Sequence, residues 1–162
     1  MDNLDSFNIF LTTVFSTETL LIVIGLVLID LFRREQTRAA LWLVASTLMM
    51  VALVIVLKDY FAVVRPASAL ITLDSYAFPS GHATSIAFLV TVLWWYGRSV
   101  LLFSKEWLGF GLVILFILVG WSRIYLQVHT IDQVLAGYAL GAIVGGFFYW
   151  QVRNRPNIIK NS

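Results

Sequence analysis

Apolar residues run along this chain in blocks close to twenty long, broken by short polar segments, with none of the period-two alternation of a half-buried strand. One block covers Ala39 to Leu57 and stops at Lys58. Another opens at the Ser80-Gly81-His82 turn and ends near Tyr96. A third runs from about Trp107 to Trp121, with a continuation toward Leu126, and a fourth from Ile131 to Trp150. Each approaches the ~20 residues that a helix needs to cross a bilayer. Leu20 to Phe32 is shorter and reaches full length only by including Thr17 and Glu18. A break near Ser16-Thr17 therefore predicts a separate N-terminal helix, with Phe7, Phe10, Leu11, Val14 and Phe15 lying at the membrane interface. The pattern predicts an all-α, polytopic transmembrane helix bundle of five spans plus that interfacial helix.

Composition agrees. Apolar residues make up 60% of the 162 and charged ones 12%, too oily for a soluble domain of this size and short enough for one domain over residues 1–162. No cysteine is present, which excludes disulfides, zinc thiolates and thiol catalysis. The net charge of +2 sits at span ends, not along one stripe, so nucleic acid is not an expected partner. The start of the chain lacks the basic segment and small-residue cleavage site of a secretory signal, so the first span is expected to be retained.

The charges in the loops predict an orientation. Arg33, Arg34, Arg38, Arg98, Lys105, Arg153, Arg155 and Lys160 all fall on one side, which the positive-inside rule makes cytoplasmic. The other side carries Lys58, Arg65 and Arg123 with Asp2, Asp5, Glu18, Asp59, Asp74 and Asp132. Gly137, Gly141 and Gly145 form a small face on the last span, read as helix packing inside the bundle in preference to a dimer interface. Trp94, Trp95, Trp107, Trp121 and Trp150 near span ends read as interfacial anchors.

The cations that break the charge bias share their side with both histidines of the chain, His82 and His129. Taken singly, each has a plain explanation. Lys58 marks a membrane boundary by snorkelling, Pro79-Ser80-Gly81 makes a capped turn, and His129 with Asp132 and Gln133 makes a hydrogen-bonded helix start. Those explanations leave the clustering unexplained. Ionisable groups are costly in an apolar chain, and their convergence marks a site. Phosphoryl transfer needs positive charge on the phosphate oxygens, a nucleophile, and a proton for the leaving oxygen. Lys58, Arg65 and Arg123 supply charge. The Ser80-Gly81 helix start offers backbone N–H groups to an anion, and Gly81 allows close approach.

The order Lys58-x6-Arg65-Pro66, Pro79-Ser80-Gly81-His82 and Ser122-Arg123-x5-His129 resembles the type 2 phosphatidic acid phosphatase (PAP2) superfamily of membrane lipid phosphatases, over about Ala39 to Trp150. The resemblance implies that His129 is the nucleophile and forms a phosphohistidine. It also implies that His82 protonates the leaving group and then activates water. Lys58, Arg65, Ser80, Gly81 and Arg123 would hold the phosphate, with no metal and no cofactor. The family commonly has an aspartate four residues after the nucleophilic histidine; here that position is Gln133, with Asp132 one residue earlier, and both face residue i on a helix. His129-Thr130 with Gln133-Val134 looks like the dolichyl-diphosphate phosphatase branch. The expectation is thus a lipid phosphatase of the bacterial cytoplasmic membrane with its site at the outer face. Its expected substrate is a polyprenyl diphosphate such as undecaprenyl diphosphate, with phosphatidate or phosphatidylglycerophosphate as the alternative. A phosphotransferase shares the same intermediate, and soluble vanadium haloperoxidases share the constellation but not the spans. A non-catalytic lipid-phosphate-binding or lipid-moving protein is the reading from another class, which the two histidines disfavour. The expected partners are the lipid phosphate and the surrounding membrane lipids, and the oligomeric state is left open.

Overall fold

The computed structural model describes residues 3–100 and 104–153. Asp2, Arg155 and Lys160, which contribute to the charge asymmetry above, lie outside the described residues. Regular structure among the described residues is α-helical: α1 (Asn3–Val14), α2 (Thr17–Arg33), α3 (Thr37–Phe61), α4 (Gly81–Val100), α5 (Lys105–Tyr125) and α6 (Ile131–Arg153).

Local chemistry sets the ends. The Ser16 hydroxyl accepts the Thr19 N–H at 3.4 Å and starts α2, which leaves α1 at a 42° bend, where the sequence predicts a break. Ser104 starts α5 in the same way, accepting the Trp107 N–H at 3.4 Å. The apolar block that begins at Ala39 does not stop at Lys58. The helix continues one turn to Phe61 and closes on Ala62, whose left-handed backbone (φ 46°) returns its N–H to the Lys58 carbonyl. Lys58 therefore sits in a helical turn, not at its edge. The predicted end of α4 at Tyr96 is likewise extended to Val100.

Three helices, α3, α5 and α6, are long and apolar enough to cross a membrane, and the bent pair α1–α2 makes a fourth candidate if taken as one span. Their outward positions are apolar: Leu41, Leu48 and Val56 on α3, Ile117 on α5, Leu135 and Ile143 on α6 are all exposed. Such an inverted surface suits lipid, not water. The 20-residue α4 is not among the three. It carries His82, Thr84 and Ser85 in its first turns and is enclosed by its neighbours, burying every residue from Ala83 to Leu89.

The α4–α6 pair is the most extensive in the bundle. A methyl group at Gly137 would collide with the Ser80 carbonyl and Ala83, one at Gly141 with the Thr84 carbonyl, and one at Gly145 with the Thr91 side chain. The glycine face is thus spent inside the bundle, bringing the α6 backbone against the start of α4. That contact decides how close the two histidine-bearing segments come.

Candidate active site

The irregular segment 62–80 between α3 and α4 is tied down at its ends and centre by backbone hydrogen bonds. Ala77 N–H reaches the Val63 carbonyl at 2.7 Å, Leu70 N–H the Leu126 carbonyl at 3.0 Å, and Ser80 N–H the Gln133 carbonyl at 3.1 Å. The last two bonds fasten this segment to the end of α5 and to the first turn of α6. The α5–α6 turn leaves α5 through Gln127 (φ 55°) and is closed by the His129 N–H on the Arg123 carbonyl at 3.3 Å. Residues far apart in sequence are therefore joined through the main chain.

Arg65 is the hub. Its Nε donates to the Ser75 carbonyl at 2.8 Å and its Nη2 to the Ser75 hydroxyl at 3.1 Å. Its Nη1 donates to the Val128 carbonyl at 2.9 Å and to His129 Nε2 at 3.2 Å. Lys58 Nζ donates to the Tyr76 carbonyl. Arg65 and Lys58 also line an open cleft of about 520 Å³ together with Asp59, Asp74 and Tyr76. Arg65 thus touches the cleft on one side and the imidazole on the other.

His129, Arg123, Ser80 and Gln133 are buried, at 4%, 1%, 0% and 7% exposure. The ring orientation of His129 follows from its neighbours. Gln133 Oε1 accepts the Thr130 backbone N–H at 3.2 Å, and a backbone N–H can only donate, so the atom facing it is the oxygen. The same oxygen lies 3.0 Å from His129 Nδ1, which must then carry the proton. Nε2 is left with its lone pair, and it accepts from Arg65. Burial, then the nearby Arg123, Arg65 and Lys58 charges, hold the His129 pKa down, from 6.5 to about 3. The imidazole is neutral, with the Nε2 lone pair unprotonated, the form a nucleophilic histidine requires. Asp132, the other candidate, is exposed at the start of α6, and Gln133 is the side chain bonded to His129.

His82 Nε2 lies 3.3 Å from the Thr12 carbonyl, and Arg123 Nη1 donates to the Thr12 hydroxyl at 2.9 Å. One residue of α1 therefore holds a histidine and a cation at once. Arg123 Nε and the Ser80 hydroxyl are buried without a hydrogen-bond partner. Buried donors are normally satisfied, and these two match the acceptor oxygens of a phosphate. The expected Ser80 backbone contact needs correction. The Ser80 N–H is committed to the Gln133 carbonyl, so this residue can offer an anion only its hydroxyl. Gly81 keeps a negative φ, and a methyl group there would make only ordinary contact with Val54 and Lys58. Neither the backbone nor the packing around it requires a glycine at this position.

Thr12 is absent from the sequence-predicted site. A signal for it existed: Asp5, Asn8 and Thr12 form a polar stripe at helical spacing on α1. Asp5 accepts from the Tyr125 hydroxyl at 3.0 Å, Asn8 is fully buried, and Thr12 meets Arg123. The aromatic side of α1, with Phe7 and Phe10 exposed, masks that inward polar face in a reading based on apolar residues.

Residues 39–157 match the PAP2 superfamily. The chain belongs to that superfamily. Among PAP2 and related proteins it is 36% identical over 93 residues to phosphatidylglycerophosphatase B of Bacillus subtilis, covering 55% of this chain and 46% of that one. It is 28% identical over 83 residues to dolichyldiphosphatase of Saccharomyces cerevisiae, covering 49% of this chain and 35% of that one. This chain therefore spans about half the length of the first relative and about a third of the second. Its fold matches the crystal structure of a transmembrane PAP2 type phosphatidylglycerolphosphate phosphatase from Bacillus subtilis. The TM-score is 0.82 at 28% identity, over 96% of this chain and 81% of that one. With its apolar helices, this PAP2 chain is a membrane protein.

Proposed function

We propose that this chain is a membrane lipid phosphatase working through a phosphohistidine. His129 Nε2 attacks phosphorus as the bond to the leaving oxygen breaks, and His82 delivers a proton to that oxygen. In the second half, His82 takes a proton from water, the water oxygen bonds to phosphorus, and the N–P bond breaks to release phosphate. Arg65 turns from Nε2 to the phosphate oxygens when substrate arrives, which frees the lone pair at the moment of attack. Arg123 Nε, Lys58 and the Ser80 hydroxyl supply the remaining contacts. The observation that carries this reading is the His129 ring, held by Gln133 with its lone pair turned to a guanidinium.

The substrate we infer is a polyprenyl diphosphate such as undecaprenyl diphosphate, cleaved to the monophosphate and inorganic phosphate. The His129-Thr130 and Gln133-Val134 arrangement and the dolichyldiphosphatase relative support it. Phosphatidylglycerophosphate is the second reading, favoured by the Bacillus subtilis relative and structural neighbour. Phosphate release from a panel of polyprenyl diphosphates, phosphatidate and phosphatidylglycerophosphate in detergent, with chelator present, separates them. Loss of release in a folded His129→Ala variant supports the mechanism; unchanged release removes His129 from it.

The topology we propose has five crossings, with the site at the outer face of a bacterial cytoplasmic membrane. The exposed Asp74 beside the cleft provides the test. An Asp74→Cys variant in intact cells should react with a membrane-impermeant thiol reagent. Reaction only after permeabilisation would invert the orientation.

A further inference from the structure

At the end of the bundle away from the histidines, three cations from three helices converge. Arg98 ends α4, Lys105 begins α5 and Arg153 ends α6. Together with Trp95 and Tyr149 they line a pocket of about 270 Å³. Counting 1.5 Å per residue along α4, Arg98 lies roughly 25 Å from His82, so this pocket is separate from the phosphate site.

Two of the cations are held in place by rings. The Arg98 guanidinium sits 5.2 Å from the Trp94 ring centre and that of Arg153 5.9 Å from Tyr149. Stacking orders a guanidinium while leaving its N–H edge open to an anion. Among the described residues no carboxylate forms an ion pair with Arg98, Lys105 or Arg153. The acid next to Lys105, Glu106, is exposed and feels that cation's field without pairing with it. A topology signal needs only positive charge somewhere in the loops; it does not need a concave pocket or ordered guanidiniums.

We propose that this pocket binds the phosphate of an anionic lipid headgroup in the leaflet opposite the active site. The ligand chemistry is a phosphodiester held by three cations. The pocket is just below the ~300 Å³ at which ligand sites begin, which suits a headgroup, not a whole lipid. Its position at the ends of α4 and of the apolar helices α5 and α6, with Trp95 and Tyr149 in its wall, places it at headgroup depth. A lipid held there ties together the ends of α4, α5 and α6, the helices that carry His82, Arg123 and Gln133 at their other ends.

The test is lipid binding by the full chain in neutral detergent, read by native mass spectrometry during titration with phosphatidylglycerol or phosphatidylcholine. One phosphatidylglycerol is expected to be held in preference to phosphatidylcholine. Each pocket cation removed should weaken binding about five-fold, so Arg98→Gln/Arg153→Gln loses roughly 25-fold. Arg33→Gln, a basic residue at the same end but outside the pocket, should change binding less than two-fold. The binding is read without turnover, so its failure is distinct from failure of the hydrolase reading. Parent-like affinity in the double variant overturns the proposal, and so does an equal loss in Arg33→Gln, which would indicate diffuse surface attraction. Inorganic phosphate displacing the lipid at equal concentration would assign the pocket to a free anion and also overturn it. If the double variant does not fold, Lys105→Gln on the exposed first turn of α5 provides the same measurement.

Discussion

His129 Nδ1 and Gln133 Oε1 lie 3.0 Å apart, one helical turn from each other, and the same oxygen also receives the Thr130 N–H. A neutral amide thus stands where the resemblance led us to expect a carboxylate. Two donors depend on one acceptor. Gln133→Ala should therefore slow turnover about 10- to 100-fold, the range seen when a metal-bound histidine loses the partner that orients its ring. Gln133→Glu keeps both acceptor contacts and should restore rate while moving the acid limb of the pH profile upward, because a carboxylate stabilises the imidazolium. Asp132→Ala should stay near the parent rate. Steady-state phosphate release across pH checks all three, and a parent-like Gln133→Ala would remove the orienting role.

Acidity should weaken the phosphate-free protein through His129. Its pKa is about 3 when folded, against about 6.5 when unfolded, so between those values the unfolded chain binds more protons. Stability from this residue is complete above about pH 6.5 and falls as the pH is lowered toward 3. Melting in detergent should show that decline, and His129→Asn should make it shallower. An unchanged slope in the variant would show that His129 is not held neutral.

Thr12 should matter more to the unliganded site than its sequence position suggests. Thr12→Val removes the acceptor of the Arg123 Nη1 bond and leaves the backbone carbonyl beside His82 intact. A lost hydrogen bond to a buried charge costs about 1.5–3 kcal/mol. The melting temperature should therefore fall, and added phosphate should recover part of the loss by giving Arg123 a new partner. A variant that melts like the parent would mean α1 does not hold Arg123 in solution.

Gly81→Ala should separate folding from function. The added methyl group meets only Val54 and Lys58 at ordinary distances, so the fold should survive with a near-parent melting temperature. Catalysis should drop because the methyl group occupies space beside Lys58 that a phosphate needs. Gly141→Ala should do the reverse and damage the fold first, since its methyl group would strike the Thr84 carbonyl. Full activity in Gly81→Ala would place the phosphate elsewhere.

Much of this protein is legible without coordinates because a bilayer imposes a length and a polarity on every spanning helix. The apolar blocks announce α3, α5 and α6, and the costly cations and histidines announce a site. Spacing on one turn also narrowed the helper of His129 to Asp132 or Gln133. Only the folded chain could choose between them, because both positions lie one turn from His129 in sequence, while the face of α6 that packs inward buries Gln133 and leaves Asp132 exposed. On that inward face Gly137 and Gly141 also meet the Ser80 and Thr84 carbonyls. Thr12 lies on a polar stripe visible in the sequence, but its partner Arg123, like the Ser75 and Tyr76 carbonyls that hold Arg65 and Lys58, was assigned only by tertiary packing, since which residues meet across α1 and α5, or across segment 62–80, is not encoded in periodicity. The sequence determined which groups must avoid lipid; the packing of α1, α4 and α6 decided which of them meet, because hydrogen bonds a few ångströms long depend on helix rotation and depth, which composition does not encode.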